Sequence, residues 1–191
     1  MPALPTFPKP SAADLKNARQ AFEDNEPRDL FYRAATELVG LAYASRSSEL
    51  SLSEALAVLL QTWNQSFYRF RGGFKRSDLD GLDGLLNNFG ARLSAYRERS
   101  IDSLVESDKE GISSLFQAFE PVLGPVGTAK ALHLLAPQFF AIWDRAIAAS
   151  YRLALVKGDN STTYLRFMSI CRMQCEGLAS VDGRSPLKPA R

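Results

Sequence analysis

Between Leu123 and Asp144 the chain reads LGPVGTAKALHLLAPQFFAIWD, and this stretch limits the possible folds more than any other. Gly124, Pro125 and Gly127 punctuate two apolar patterns. Ahead of them, Ile112, Leu115, Phe116 and Phe119 recur at helical spacing. Behind them, Ala131, Leu132, Leu134 and Leu135 do the same until Pro137 stops the pattern. The spacing predicts two short helices joined by a tight hairpin within residues 108–135. In such a hairpin the first N–H groups of the second helix point outward, backed by the helix dipole. They can bind a phosphate without reading a base. Gly124, Val126 and Gly127 are the main-chain candidates for that contact, with Thr128 and Lys130 beside them.

The rest of the chain follows the same helical period. The first ten residues hold four prolines and predict an extended arm. Ser11 with Asp14, Ser51 with Glu54, Ser77 with Asp80, and the pair Ser107-Asp108 predict helix starts. A further helix is expected from Asp144 through Ile147, Tyr151 and Leu155, broken at residues 157–160. The last carries Tyr164, Phe167, Met168, Cys171 and Cys175 on one face, and the chain from Ser180 is expected to be loose. No stretch alternates as a strand does, so the expected fold class is all-α. Its 191 residues suit a single helical domain, 1–191, with two lobes around a cleft.

Charge and composition narrow the function without naming it. Hydrophobic content of 46% supports a core and excludes disorder throughout. A net charge of +2 neither demands nor forbids nucleic acid, because a local basic face is what meets phosphates. One local segment has that character. Phe67, Tyr68, Phe70 and Phe74 interleave with Arg69, Arg71, Lys75 and Arg76 around Gly72-Gly73. Such a segment can stack rings on bases and pair cations with phosphates. It can equally be half-buried with a solvated charged side; the neighbouring hairpin favours DNA contact, through Arg69 and Arg71. Two cysteines and one histidine are too few for a Cys/His zinc site, and His133 is given no role. No metal or other cofactor is expected. The absence of a long apolar run or a signal pattern predicts a cytoplasmic protein, monomeric and without a membrane partner.

LGPVGTAKALHLL followed by WDRAI resembles the helix-hairpin-helix signature of the DNA glycosylase superfamily. Leu123, Val126, Gly127, Ala131, Asp144 and Ile147 fall on its positions, although Gly124 and Pro125 stand in the reverse of its usual Pro-Gly order. Bifunctional members carry a lysine two residues after the hairpin's last glycine; here Ala129 stands there. Lys130 is one residue late, roughly 100° around the helix. The resemblance therefore implies a monofunctional enzyme on double-stranded DNA. The enzyme would flip out a modified base and hydrolyse its N-glycosidic bond, leaving an abasic site.

In that reading Asp144 is the catalytic carboxylate, which stabilises the oxocarbenium-like sugar or activates water. Gln61, Trp63, Asn64, Tyr68 and Trp143 are the base-pocket candidates. Family members remove oxidised, alkylated or mismatched bases. One small branch attacks hypermodified viral bases as antiviral defence, which adds glucosylated hydroxymethylcytosine-type bases of phage DNA to the candidates. Two other readings stay open. The chain can be a non-catalytic helix-hairpin-helix DNA-binding module in which Asp144 only caps a helix, or an all-α interaction protein.

Overall fold

A computed structural model describes residues 7, 10–25, 29–44, 50–63 and 65–182. Among these residues the chain forms eight α-helices, one short 3-10 turn at Ile101–Ser103, and no strand. The helices are α1 (Ala12–Asn25), α2 (Asp29–Ala44), α3 (Leu52–Trp63), α4 (Gln65–Phe70), α5 (Arg76–Arg97), α6 (Asp108–Leu135), α7 (Arg145–Ser150) and α8 (Ser161–Asp182). None of them is long and apolar enough to cross a membrane. Of the proline-rich arm expected at 1–10, only Phe7 and Pro10 fall within the described residues; Phe7 packs on Tyr151.

Local chemistry explains where several helices begin. Ser11 and Asp14 form a reciprocal capping box, as do Ser51 and Glu54. At α5 the start lies two residues before the expected Ser77. Asp78, not Asp80, reaches back to accept the Lys75 N–H at 2.8 Å. At α6, Ser107 makes no side-chain cap. Asp108 instead takes the Val105 N–H and a two-point contact from Arg99, each N–O distance being 2.7 Å. α7 ends at Ser150, short of the expected Leu155, because Arg152 turns to φ +56. α8 runs on to Asp182, past the point where the chain was expected to loosen.

α6 is the axis of the core. Ile112, Leu115, Phe116, Phe119, Leu123, Leu132, Leu134 and Leu135 are all buried along it, and α2, α3, α5 and α8 pack around it. Its far end is held by Arg97, whose Nη1 donates to the Leu135 carbonyl at 2.8 Å and satisfies a helix-end acceptor. His133 joins α6 to α2 and to the segment that follows: Nε2 meets Tyr32 Oη at 2.8 Å and Nδ1 meets the Phe140 carbonyl at 2.7 Å. α1 buries no residue at all.

The expected hairpin is a kink. Helical backbone runs through 108–123 and again from Pro125 to Leu135, and only Gly124 between them departs, at φ +70 and ψ 168. A left-handed φ is open to glycine at no steric cost. Pro125 then opens the second segment, where its missing N–H leaves no helical hydrogen bond unmade. The Gly-Pro order thus fits a one-residue joint.

Candidate active site

The joint in α6 is built from three directions. Phe67, from α4, packs against Gly124. A methyl group added at Gly124 would stand 2.6 Å from the ring, so the glycine is needed for contact as well as for φ. Arg71 lies over that ring at 4.9 Å from its centroid and donates through Nη1 to the Val122 carbonyl at 3.2 Å. From the C-terminal side, Trp143 Nε1 donates to the Pro125 carbonyl at 3.1 Å. This last bond joins the apolar run before α7 to the kink, across 18 residues of sequence.

Trp143 can reach that carbonyl because its surroundings hold it. Its indole is fully buried, edge-on to Phe116 and Tyr164 and beside Phe167. The segment leading to it is pinned to α8, with Tyr164 Oη donating to the Ala141 carbonyl at 2.8 Å. Immediately after Trp143, Asp144 takes extended backbone and caps α7, Oδ1 accepting the Ile147 N–H at 2.8 Å. Asp144 is half-buried, and Oδ1 makes its one hydrogen bond among the described residues.

Beside the joint opens a cleft of about 950 Å³. Phe67, Gly124 and Pro125 form its wall at the kink, and Leu155 and Val156 give it an apolar side. Arg71, Arg145 and Lys157 bring three cations to it, against Glu120 and Asp159. Both carboxylates are engaged. Glu120 accepts from the backbone and side chain of Asn160, and Asp159 accepts from Ser161 N–H and from Gln117. Those bonds hold Asp159 below the usual carboxylate range, the Ser161 hydroxyl and N–H first. They also fix the loop at 156–160, where buried Asn160 takes the Val156 N–H and donates to the carbonyls of Val156 and Gly158. Arg145 and Lys157 have no ion-pair partner among the described residues, so their charge is available to a ligand.

The residues singled out from sequence do not all meet here. Gly124 and Arg71 line the cleft; Asp144 is not among the lining residues, although its chain neighbour Arg145 is. Val126 is half-buried, whereas Gly127, Thr128 and Lys130 are buried within α6 and face no open surface. From residue 127 to 135, α6 is buried at every position but His133, so this half of the helix has no solvent side to present them on. Trp143 and Tyr68 are likewise core side chains rather than pocket walls. Tyr68 packs edge-on against Phe67 and Phe74, its hydroxyl is buried without a hydrogen-bond partner among the described residues, and burial pushes its pKa up. Gln61 is exposed on α3, away from the cleft lining. Arg69 is exposed at the end of α4. The side chain of Trp63 and the whole of Asn64 lie outside the described residues.

Arg145, Lys157, Gln117 and Glu120 are cleft residues that sequence reasoning passed over. Arg145 follows Asp144 directly, and Lys157-Gly158-Asp159-Asn160 was legible as a break in helix but not as a cation-bearing loop. Chemically, the cleft offers three cations, an apolar wall, and two carboxylates, Glu120 and Asp159, that are already hydrogen-bonded. Comparison with protein families, with curated proteins and with solved structures returns no match for this chain.

Proposed function

We propose that this protein is a monofunctional DNA glycosylase of the helix-hairpin-helix type, acting on a modified base in double-stranded DNA. The observation that carries the reading is the Trp143–Pro125 hydrogen bond. It ties Trp143, the residue before Asp144, to the Gly124 joint, where the cleft with its three cations opens. Arg71, Arg145 and Lys157 would take phosphates on either side of an extruded nucleotide, a sequence-independent contact. The cleft is lined by α4 and the turn after it, by α6, by the start of α7 and by the loop before α8.

Asp144 spends Oδ1 on the α7 cap, which fixes the carboxylate's orientation and leaves Oδ2 for chemistry. As the N-glycosidic bond breaks, positive charge grows on the sugar and a nearby carboxylate stabilises it. Water adds to the anomeric carbon, its proton passing to the leaving base or to solvent, and an abasic site remains. With Ala129 where a Schiff-base lysine would stand and Lys130 buried, strand cleavage by lysine is not part of the reaction. The cleft volume is at the upper end of small-molecule sites. That size suits a bulky base such as a glucosylated hydroxymethylcytosine of phage DNA.

A second reading is a non-catalytic DNA-binding module. It is favoured by the ordinary helix cap that Asp144 makes and by the burial of Gly127 and Thr128. One experiment separates the two. The purified protein is incubated with oxidised, alkylated, deaminated and glucosylated DNAs and abasic sites are counted, with Asp144→Asn alongside. Abasic sites on one substrate, lost in the variant while duplex binding persists, establish the enzyme. Binding with no product on any substrate establishes the module.

A further inference from the structure

α1 stands apart from the core. It runs for 14 residues, buries none of them, and no other helix packs closely along it. A helix of that length is marginal in water unless an apolar face is covered. α1 has such a face: Leu15, Ala18 and Phe22 recur at helical spacing, with Leu15 42% and Phe22 43% exposed. α2, next in the chain, turns Leu30 and Leu41 outward at 60% each. Five of the nine large apolar side chains exposed among the described residues lie on these two helices, so the uncovered surface is concentrated there.

The charges on α1 indicate what covers it. Its last turn carries Glu23 and Asp24 and no base, the wrong sign for its own helix dipole. Lys16, near its start, has no ion-pair partner among the described residues. Glu23 takes Arg19 through Oε1 at 2.7 Å and has its second oxygen left. These placements become favourable against an antiparallel helix of the same sequence. Lys16 and Glu23 lie about two turns apart on one flank of the apolar stripe. Asp14 lies on the other flank, bonded to Ser11. Reversing a second α1 against the first, with Leu15 on Phe22 of the copy, brings Lys16 within reach of the copy's Glu23, and Glu23 within reach of its Lys16. Ala18 falls at the crossing, where a small side chain lets two helices approach. Each acidic last turn then lies beside the other helix's N-terminal turn. A parallel pair would set both acidic ends together.

We propose that α1 is a homotypic docking helix: two copies of this chain pair through antiparallel α1 helices about a two-fold axis near Ala18. The pairing is independent of the DNA reading. Two helices of this length cover less than the roughly 1,200 Å² of a stable interface, so the dimer forms in the micromolar range.

Sedimentation velocity on the full chain tests it. Wild type should pass from monomer to dimer between about 1 and 300 µM. Lys16→Glu should weaken pairing about fivefold, as should Glu23→Lys, and the double variant should return to within about twofold of wild type. Phe22→Ser should stay monomeric throughout, with an unchanged circular-dichroism melting midpoint at dilution, because the side chain supports no core. In wild type the α1 amides should exchange more slowly as concentration rises, and in Phe22→Ser they should not. A dimer indifferent to all these variants overturns the proposal, because its interface lies elsewhere. So does a double variant no better than the singles, which removes the antiparallel register. A monomer with α1 amides protected at every concentration overturns it in favour of α1 closing on the α2 of its own chain. A monomer with α1 unprotected at every concentration overturns it in favour of a different partner.

Discussion

At Asp144 the helix cap and the proposed chemistry use different oxygens, so a substitution can separate them. Asparagine caps a helix as well as aspartate does. Asp144→Asn should therefore keep the thermal midpoint near that of the wild type while base release, measured as abasic sites, is lost. Asp144→Ala should lose the cap too and cost about 1 kcal/mol in denaturant unfolding. Gly124 makes the sharper structural prediction. Alanine there needs a left-handed φ and meets the Phe67 ring at 2.6 Å. Gly124→Ala should destabilise the fold by at least about 2 kcal/mol, and Gly124→Ala with Phe67→Leu by less, because the strain and the contact are separate costs. Additive losses in that pair would mean that the ring contact is unimportant.

Among elements, the junction of α2 with α6 runs through the half-buried His133, and its charge state has a direction. Burial lowers its pKa below the ordinary 6.5, against the Phe140 carbonyl, which raises it. The folded state therefore binds fewer protons than the unfolded chain as pH falls through that range. Stability at this position is full above about 6.5 and declines as acid is added. Urea unfolding across that window should show the decline, and His133→Gln should flatten it. A slope unchanged in the variant would move the cause elsewhere. The same scale shows what the sequence could reveal. Capping boxes at Ser11 and Ser51 were legible because both partners lie within four residues. The Asp108–Arg99 contact and the Arg97 bond to the end of α6 were not, since each needs a partner from further along the chain; the Lys75 start of α5 is as local as the boxes, but lysine is not a usual cap residue. The kink at Gly124 was legible as a break, but not as a one-residue joint, because the spacing says nothing of how far the chain must turn.

For the whole molecule, stability is unevenly spread. α6 is enclosed by four helices, whereas α1 buries nothing and leaves Leu15 and Phe22 half exposed. Hydrogen exchange should find the amides of α1 open at little free-energy cost, while those at the middle of α6 exchange only on global unfolding. Equal protection in the two would overturn that division. The all-α class was legible from period alone, since apolar residues at helical spacing recur throughout the chain. The cleft was not, because its cations come from α4–α5, α7 and the loop before α8, and only the closed fold brings them together.

The Trp143 hydrogen bond also gives the molecule a built-in optical gauge. An indole shut away from water, with its N–H held by the Pro125 carbonyl, should emit at the blue end of the tryptophan range. Any event that pries the joint open would let solvent in and redden that light. The chain has one other tryptophan, Trp63. Trp63→Phe would therefore leave a protein whose colour reports, in real time and without a label, whether the kink stays shut when a trial ligand such as duplex DNA is added.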